Sequence, residues 1–143
     1  MADYVDTSAL VKWYLEEPLS SAFEAYVAER SGICISRLTV VELRCALARR
    51  KRSKEINQRY EIAAMDTFDA DVRRGYLQVL PIEDTRFAEA RKLIDQLADF
   101  PLRTLDALHL ATAKAHRCRH FATADKAQAD AAHALGFTVH SFI

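Results

Sequence analysis

The segment 104–113, TLDALHLATA, is apolar on nearly every side of the helix that its pattern predicts. A helix of this kind is buried in the core of a domain and does not lie on its surface. Thr104 is the expected N-cap, which places Asp106 in the first turn, where the helix dipole favours a negative charge. Burial of an unpaired carboxylate is strongly unfavourable, so Asp106 requires a partner from elsewhere in the chain.

Short apolar segments alternate with helical patterns along the rest of the chain. Strands are predicted at residues 2–5, 33–35, 76–81, 119–123 and 137–139, and further helices at 9–15, 19–30, 37–50, 55–72, 83–98 and 126–135. The connections are too long for hairpins, which favours a central parallel sheet of about four to five short strands with helices on both faces. No linker, repeat or low-complexity segment interrupts the 143 residues, so we expect a single α/β domain over 1–143.

Helical spacing also predicts which side chains face the core. Ser36 is expected to cap the helix 37–50, and the inward positions of that helix are predicted to be Leu38, Val41, Cys45 and Ala48. The corresponding positions in 55–72 are Ile56, Tyr60, Ala63, Ala64 and Phe68, and those in 83–98 are Phe87, Ala90, Leu93, Ile94 and Leu97.

Charge and cysteine content exclude several classes of protein. Twenty basic residues balance twenty acidic ones, so no global field indicates a nucleic acid, a membrane or an acidic partner, and any such partner must be recognised locally. Acids occupy the N-terminal region where a signal peptide has bases, and no uncharged run approaches the ~18 residues of a membrane span. We therefore expect a cytoplasmic protein with no membrane partner, in which Cys34, Cys45 and Cys118 are buried or half-buried thiols.

Two further patterns have an ordinary interpretation and a functional one. The basic run 49–54 is typical of a solvated helix end that complements the helix dipole, and the alternative is contact with phosphates or an acidic partner. His116, Cys118 and His120 alternate as zinc ligands can, but no second ligand pair follows them, which favours a strand edge with incidental polar residues.

Four acids from distant parts of the chain are placed where they can meet. Asp6 and Asp125 each follow a predicted strand, at the edge of the sheet where open α/β folds bind their ligands. Glu42 and Asp106 lie in the early turns of helices that can point to the same edge. Each has an alternative role: Asp6 can cap a helix, Asp125 can form a capping box with Gln128, and Glu42 can be a solvated helix acid.

Carboxylates brought this close need a cation, since a pair at ~4 Å repels by about 4 kcal/mol at an effective dielectric of 20. Oxygen ligands favour Mg²⁺ or Mn²⁺ over zinc, and such an ion activates water and neutralises charge on a phosphate. No Walker loop, nucleophile elbow or zinc-protease motif competes, and three glycines are too few for a phosphate-cradling loop. A phospho-acceptor domain is disfavoured because the third strand ends in Pro81 instead of an acid.

Four motifs, in their order and spacing, resemble those of one known family. They are YVDTS at 4–8, ISRLTVVEL at 35–43, LDALHLATA at 105–113 and TAD at 123–125. The chain resembles the PIN-domain ribonucleases over almost its entire length, and most closely the VapC-type toxins of toxin-antitoxin modules.

The resemblance implies a Mg²⁺-dependent endoribonuclease, with Mn²⁺ able to substitute, that cuts single-stranded or looped RNA such as tRNA or ribosomal RNA. It implies a homodimer inhibited by a small cognate antitoxin whose C-terminal segment fills the cleft. The matching acidic quartet, both catalytic and metal-binding, is Asp6, Glu42, Asp106 and Asp125, with Ser8 and Thr123 as supporting hydroxyls.

Specific roles follow as hypotheses. We expect Asp6 and Asp106 to be direct metal ligands, Asp125 to hold a second ion or orient water, and Glu42 to position or deprotonate the nucleophile. Asp130, five residues after Asp125, is an alternative fourth acid. Candidate phosphate contacts are Arg44, Arg49, Arg50, Arg103 and Lys126. The alternative function is a non-catalytic PIN-like module that binds an antitoxin or RNA without turnover.

Overall fold

Five parallel strands form one sheet in the computed structural model, which describes residues 2–143. The strands are β1 Asp3–Val5, β2 Ile33–Ser36, β3 Leu77–Leu80, β4 His120–Thr123 and β5 Thr138–Ser141. The helices are α1 Thr7–Tyr14, α2 Ser20–Ala28, α3 Arg37–Arg52, α4 Gln58–Arg73, α5 Asp84–Gln96, α6 Thr104–Ala115 and α7 Lys126–Ala134. The predicted α/β class and parallel sheet are confirmed.

The strand order is β3-β2-β1-β4-β5, and this order creates the crevice that holds the acids. From β1 the chain moves to β2 and β3 on one side, and then returns to β4 and β5 on the other. The neighbours β1 and β4 are therefore the point where the connections diverge, and ligands bind beyond the carboxyl ends of such strands. Asp6 follows β1 directly, and Asp125 follows β4 by two residues.

Side chains at the carboxyl edge of the sheet start three of the helices. Asp6 accepts the Ala9 N–H and caps α1, Ser36 accepts the Leu38 N–H and caps α3, and Asp125 caps α7. Each satisfies an N–H group that a helix leaves without a partner at its first turn. The predicted cap at Ser36 and the capping roles of both aspartates are confirmed.

The two faces of the sheet are covered by separate apolar clusters. On one face α1, α2, α3 and α4 pack around side chains such as Leu10, Phe23 and Phe68. On the other, α5, α6 and α7 pack around Tyr4, Phe121 and Leu110. Every residue of α6 from Ala107 to Ala113 is buried, which confirms the prediction of a core helix, although Leu105 is exposed.

The predicted inward face of α3 is wrong at Val41 and Cys45, whereas Leu38 and Ala48 are half-buried and Leu38 packs against the core. Val41 is 64% exposed and Cys45 is also exposed, whereas Thr39, Leu43, Ala46 and Leu47 are the buried positions of this helix. The error arises because apolar residues occur on both sides of α3, so that the spacing fits two faces. Cys45 is consequently an exposed thiol, in contrast to the buried Cys34 and Cys118.

Exposed apolar side chains also correct the other two helical predictions. In α4, Ala64 and Phe68 are buried as predicted, but Tyr60 and Ala63 are exposed. In α5, Ala90 and Leu93 are buried, but Phe87 is 55% exposed and Ile94 is 42% exposed. Over residues 2–143, none of the helices combines the length and the apolar composition that crossing a membrane requires.

Candidate active site

Asp6 directly follows β1 at the carboxyl edge of the sheet and is 4% exposed. Its Oδ1 accepts hydrogen bonds from Ser8 Oγ at 2.6 Å and from the Ala9 N–H at 3.2 Å. Its Oδ2 accepts from Thr123 Oγ1 at 2.6 Å. Ser8 and Thr123, which the family resemblance implies as supporting hydroxyls, therefore both contact the Asp6 carboxylate and fix its plane.

The same hydroxyls connect Asp6 to the end of β4. Ser8 Oγ accepts the N–H of Ala124 at 2.9 Å, and Thr123 Oγ1 accepts the N–H of Asp125 at 3.1 Å. Because each hydroxyl donates to Asp6 and accepts from this loop, the two strand ends are held in a fixed relation. Asp125 thus comes to the same edge as Asp6, as the sequence predicts.

Asp125 and Asp106 are connected through Gln128. Asp125 Oδ1 accepts the N–H of Gln128 at 2.9 Å, which satisfies half of the predicted capping box. The fully buried Gln128 side chain does not return to the cap: its Nε2 donates to the backbone oxygen of Asp106 at 3.1 Å. Gln128 therefore holds the start of α7 against the start of α6.

The start of α6, the helix that contains Asp106, differs from the prediction. The N-cap is Arg103, and Thr104 is the first helical residue. The reason is that the Asp106 carboxylate accepts the Arg103 N–H at 3.1 Å, so the acid in the first turn satisfies the cap itself. The partner that Asp106 requires is Arg103, whose Nε lies 3.3 Å from Asp106 Oδ2 and whose Nη2 lies 3.5 Å from Asp125 Oδ2.

Glu42 is held by a chain of buried polar groups that sequence reasoning missed. Glu42 Oε1 accepts from Thr7 Oγ1 at 2.7 Å and lies 2.7 Å from His109 Nε2, and Thr39 lies 2.9 Å from Thr7. On its other side, His109 Nδ1 lies 2.6 Å from the hydroxyl of the fully buried Tyr4. The sequence does contain one indication that His109 belongs to the site: it is a polar residue in an apolar helix, three residues after Asp106.

The chemistry of the partners fixes one of the hydrogens in this chain. A carboxylate can only accept, so Nε2 of His109 donates to Glu42. When the imidazole is neutral, Nδ1 accepts from the Tyr4 hydroxyl, and when it is protonated, Nδ1 donates to that hydroxyl. The alternative interpretation of Glu42 as a solvated helix acid is wrong, because its Oε1 makes two hydrogen bonds to buried side chains.

Asp6 and Glu42 have pKa shifts of opposite direction. Desolvation raises the pKa of Asp6, and the charge of His109 and the hydrogen bonds from Ser8, Thr123 and the Ala9 N–H reduce this rise only in part. Burial also acts to raise the pKa of Glu42, but the hydrogen bond and charge of His109, followed by Thr7 and Arg103, outweigh it and leave this pKa below its usual value. The site therefore contains one destabilised and one stabilised carboxylate.

The site has oxygen donors suited to a hard divalent cation. Within residues 2–143, no three His, Cys, Asp or Glu side chains stand close enough together to hold a metal ion in this arrangement, and this holds also for His116, Cys118 and His120. Two carboxylates, Asp106 and Asp125, do converge on one positive group, the Arg103 guanidinium. An oxygen donor set around a cation position fits Mg²⁺ or Mn²⁺.

Asp130, Lys126, Arg44 and Arg50 are engaged in ion pairs outside the site. Asp130 is exposed and pairs with Lys126 at 3.1 Å on the surface of α7. Arg44 pairs with the buried Glu61 at 2.9 Å, and Arg50 pairs with Glu17. The basic run forms the last turn of α3, where Lys51 also lies 3.7 Å from Glu61, and these pairs agree with its interpretation as a helix end.

Comparison with known proteins identifies the family. The PIN domain family matches residues 4–134. The chain is 33% identical over 140 residues to Ribonuclease VapC46 of Mycobacterium tuberculosis, which covers 96% of this chain and 95% of the relative. The protein belongs to the PIN domain family. The resemblance to VapC-type PIN domains is thereby confirmed.

Solved structures share the fold of this PIN domain at low sequence identity. The crystal structure of Mycobacterium tuberculosis VapC20, a sarcin-ricin loop cleaving toxin, matches with a TM-score of 0.74 and 17% identity over 97% of this chain and 99% of that one. VapBC2 from Rickettsia felis, bound to a DNA fragment from its promoter, matches with a TM-score of 0.68 and 14% identity over 100% of both chains. At these identities the likeness establishes the fold alone.

Proposed function

We propose that this PIN domain is a metal-dependent endoribonuclease and the toxin of a toxin-antitoxin pair. The observation that carries the proposal is that shared hydrogen-bond partners connect Asp6, Asp125 and Asp106 at the carboxyl edge of β1 and β4, with Glu42 held nearby by Thr7 and His109. Asp6 and Asp125 share Thr123, and Asp125 and Asp106 share Gln128 and Arg103. Burial of Asp6 without a cation is unfavourable, and a catalytic site explains why the fold tolerates it.

We assign the metal-holding role to Asp6, Asp106 and Asp125, with Mg²⁺ as the ion and Mn²⁺ as a substitute. When bound, the ion supplies positive charge at the phosphate and makes water more acidic. Ser8 and Thr123 keep the plane of the Asp6 carboxylate fixed, so that its direction does not depend on the substrate. Rigid support of this kind keeps a site within the tolerance that catalysis requires.

Glu42 is the proposed base. Its Oε1 is occupied by Thr7 and His109, which leaves Oε2 to take the proton of the attacking water. Water attacks phosphorus in line, the bond from phosphorus to the 3′-oxygen breaks, and the 3′-oxygen takes a proton from solvent. The products are a 5′-phosphate and a 3′-hydroxyl.

The proposed substrate is single-stranded or looped RNA in tRNA or ribosomal RNA, and the proposed location is therefore the cytoplasm. The chemistry does not require a 2′-hydroxyl, so this choice rests on the ribonuclease name of the 33% identical relative and on the loop cleaved by VapC20. A balanced net charge means that phosphate contacts must be local. Arg103, 78% exposed at the rim of the site, is the best placed of the basic candidates.

The proposed partners are a second copy of the chain and a small antitoxin. Phe87, Ile94 and Leu105 are exposed on the packed pair α5 and α6, and we assign the homodimer contact to this face. We assign the C-terminal segment of the antitoxin to the cleft at the carboxyl edge of the sheet that contains Asp6 and Asp125, where it would cover the site. Toxin-antitoxin complexes among the structural matches support this partner class.

Cleavage of a 5′-labelled RNA tests the function. We expect the intact chain to cut in Mg²⁺ or Mn²⁺ and Asp106→Asn to lose at least about a hundredfold in rate, because the ion that supplies positive charge at the phosphate loses a ligand. Asp130→Asn is the matched control, since it removes the same charge from the exposed surface of α7, and it should cut at the normal rate. Equal cutting by the intact chain and Asp106→Asn would contradict the proposal.

If the chain binds RNA or an antitoxin but cuts nothing in either metal, the non-catalytic alternative is correct. Calorimetric titration with Mn²⁺ separates the two functions, because a non-catalytic module has no requirement for the ion.

A further inference from the structure

Arg103 has an unusual place among the basic side chains of this protein. It lies in the loop before α6, and its guanidinium contacts two acids of the site at once: Nε lies 3.3 Å from Asp106 Oδ2, and Nη2 lies 3.5 Å from Asp125 Oδ2. The fork of the guanidinium suits two oxygen partners. A single positive group thus occupies the position between two carboxylates of different helices.

The two contacts of the Arg103 guanidinium are weaker than the hydrogen bonds that hold Asp6. Arg103 is 78% exposed, whereas the side chains of Asp106 and Asp125 are 14% and 32% exposed. Both distances exceed the 2.7–2.9 Å that is usual for a strong charge-assisted hydrogen bond. Ion pairs with so exposed a partner are weak and are screened by salt, so the guanidinium can leave at little cost in free energy.

The two acids, in contrast, are held by backbone N–H groups and not only by the Arg103 guanidinium. Asp106 also accepts the Arg103 backbone N–H at 3.1 Å, and Asp125 accepts the Gln128 N–H at 2.9 Å. These backbone contacts fix both carboxylates at helix starts whether the guanidinium is present or not. The acids are rigid, and the cation between them is exchangeable.

We propose that Arg103 is an internal counter-ion that competes with the divalent cation for Asp106 and Asp125, and so sets the metal affinity of the site. This inference rests on the proposed function. In the absence of metal, the guanidinium reduces the repulsion between the two acids, and a divalent ion binds only by displacing it. Arg103 is therefore a residue that tunes the site and is not a ligand in it.

Titration of Mn²⁺ into the RNA-free protein, followed by calorimetry at low ionic strength, tests the proposal. We expect Arg103→Ala to bind Mn²⁺ roughly three- to tenfold more tightly than the intact chain, because the ion no longer competes with a guanidinium. Arg103→Lys keeps the charge but loses the fork, and it should fall between the two. Added salt should narrow the difference, since screening already weakens the Arg103 contacts.

Arg74→Ala is the matched control. Arg74 is the C-cap of α4 and lies just before β3, at the edge of the sheet opposite the acids. Its replacement by alanine changes the net charge as much as Arg103→Ala does, but leaves the surroundings of the acids unchanged. It should bind Mn²⁺ as the intact chain does. Thermal unfolding gives a second readout: Mn²⁺ should raise the melting temperature of Arg103→Ala more than that of the other proteins.

The outcomes separate this proposal from the function on which it rests. Equal or weaker Mn²⁺ binding by Arg103→Ala, with clear binding by the intact chain, would overturn the role of Arg103 and leave the nuclease proposal standing. An equal gain in Arg74→Ala would also overturn it, because net charge alone would then explain the effect. If no variant binds Mn²⁺, both proposals fail.

Discussion

Replacement of His109 by leucine tests whether the buried chain from Tyr4 to Glu42 is a structural element of the site. His109 is 3% exposed and bonds to Tyr4 at 2.6 Å and to Glu42 at 2.7 Å. Leucine fills a similar volume but makes neither hydrogen bond. The variant therefore leaves one fully buried hydroxyl and one half-buried carboxylate without this partner.

The expected loss of stability follows from the two orphaned groups. A buried hydroxyl without a partner costs roughly 1–3 kcal/mol, while Glu42 can recover part of its loss through water because it is partly exposed. We expect His109→Leu to lose about 3 kcal/mol in the free energy of unfolding, and about 10 °C in melting temperature for a chain of this size.

A double-mutant cycle measures the energetic coupling between Tyr4 and His109 directly. Tyr4→Phe removes the hydroxyl, so the double variant has no orphaned group at this position. Urea unfolding of the four proteins at pH 7 should show the double variant to be less destabilised than the sum of the single changes by about 1–2 kcal/mol. Additive losses within about 0.5 kcal/mol would refute the reasoning, since the two residues would then act independently.

Three further changes give distinct results. Asp6→Asn should abolish cleavage, yet it should raise the free energy of unfolding at pH 7 by roughly 1 kcal/mol in urea, because the pKa of the buried acid is raised. This gain should shrink as the pH falls and Asp6 of the intact chain becomes protonated. A variant less stable than the intact chain at pH 7 would contradict the prediction. Glu42→Gln can still accept from Thr7 and His109, so it should fold normally but cut RNA about a hundredfold more slowly, and a normal rate would exclude Glu42 as the base. A chelator should stop cleavage by the intact chain until Mg²⁺ is restored, and persistent cleavage would count against metal dependence.

The stabilised charge of Glu42 also has a pH dependence. Its pKa lies below that of the unfolded chain, so its contribution to stability is fully present above the ordinary glutamate value and is lost as the pH falls through the folded value. In His109→Leu most of this contribution is absent. Carboxyl resonances followed by NMR should therefore show a higher pKa for Glu42 in the variant than in the intact chain, and an unchanged pKa would contradict the role assigned to His109.

The sequence predicts the parallel sheet and the edge at which the acids lie because both depend on local patterns. Strand ends at Asp6 and Asp125 follow from apolar runs that stop at polar residues, and the crossover connections bring such ends to one edge. The sequence leaves open whether Asp6 is a helix cap or a catalytic acid. Asp6 accepts the Ala9 N–H through Oδ1 alone, so capping is compatible with a catalytic role of the same side chain.

Other features depend on tertiary contacts that spacing does not encode. The rotation of α3 is set by packing, with Leu43 and Leu47 buried, and Val41 has the same apolar character but faces outward. His109 bonds to residues 105 and 67 positions away. Arg103 acts across two helix starts that are adjacent only in the folded chain.

Diffraction from crystals soaked in Mn²⁺ tests the central claim most directly, because anomalous scattering locates the ion without reference to activity. We predict one peak at the carboxyl edge of β1 and β4, with oxygens of Asp106 and at least one of Asp6 and Asp125 about 2.0–2.3 Å away, in the range usual for such ions. Anomalous density at another surface, or none in the crevice at saturating Mn²⁺, would contradict the account.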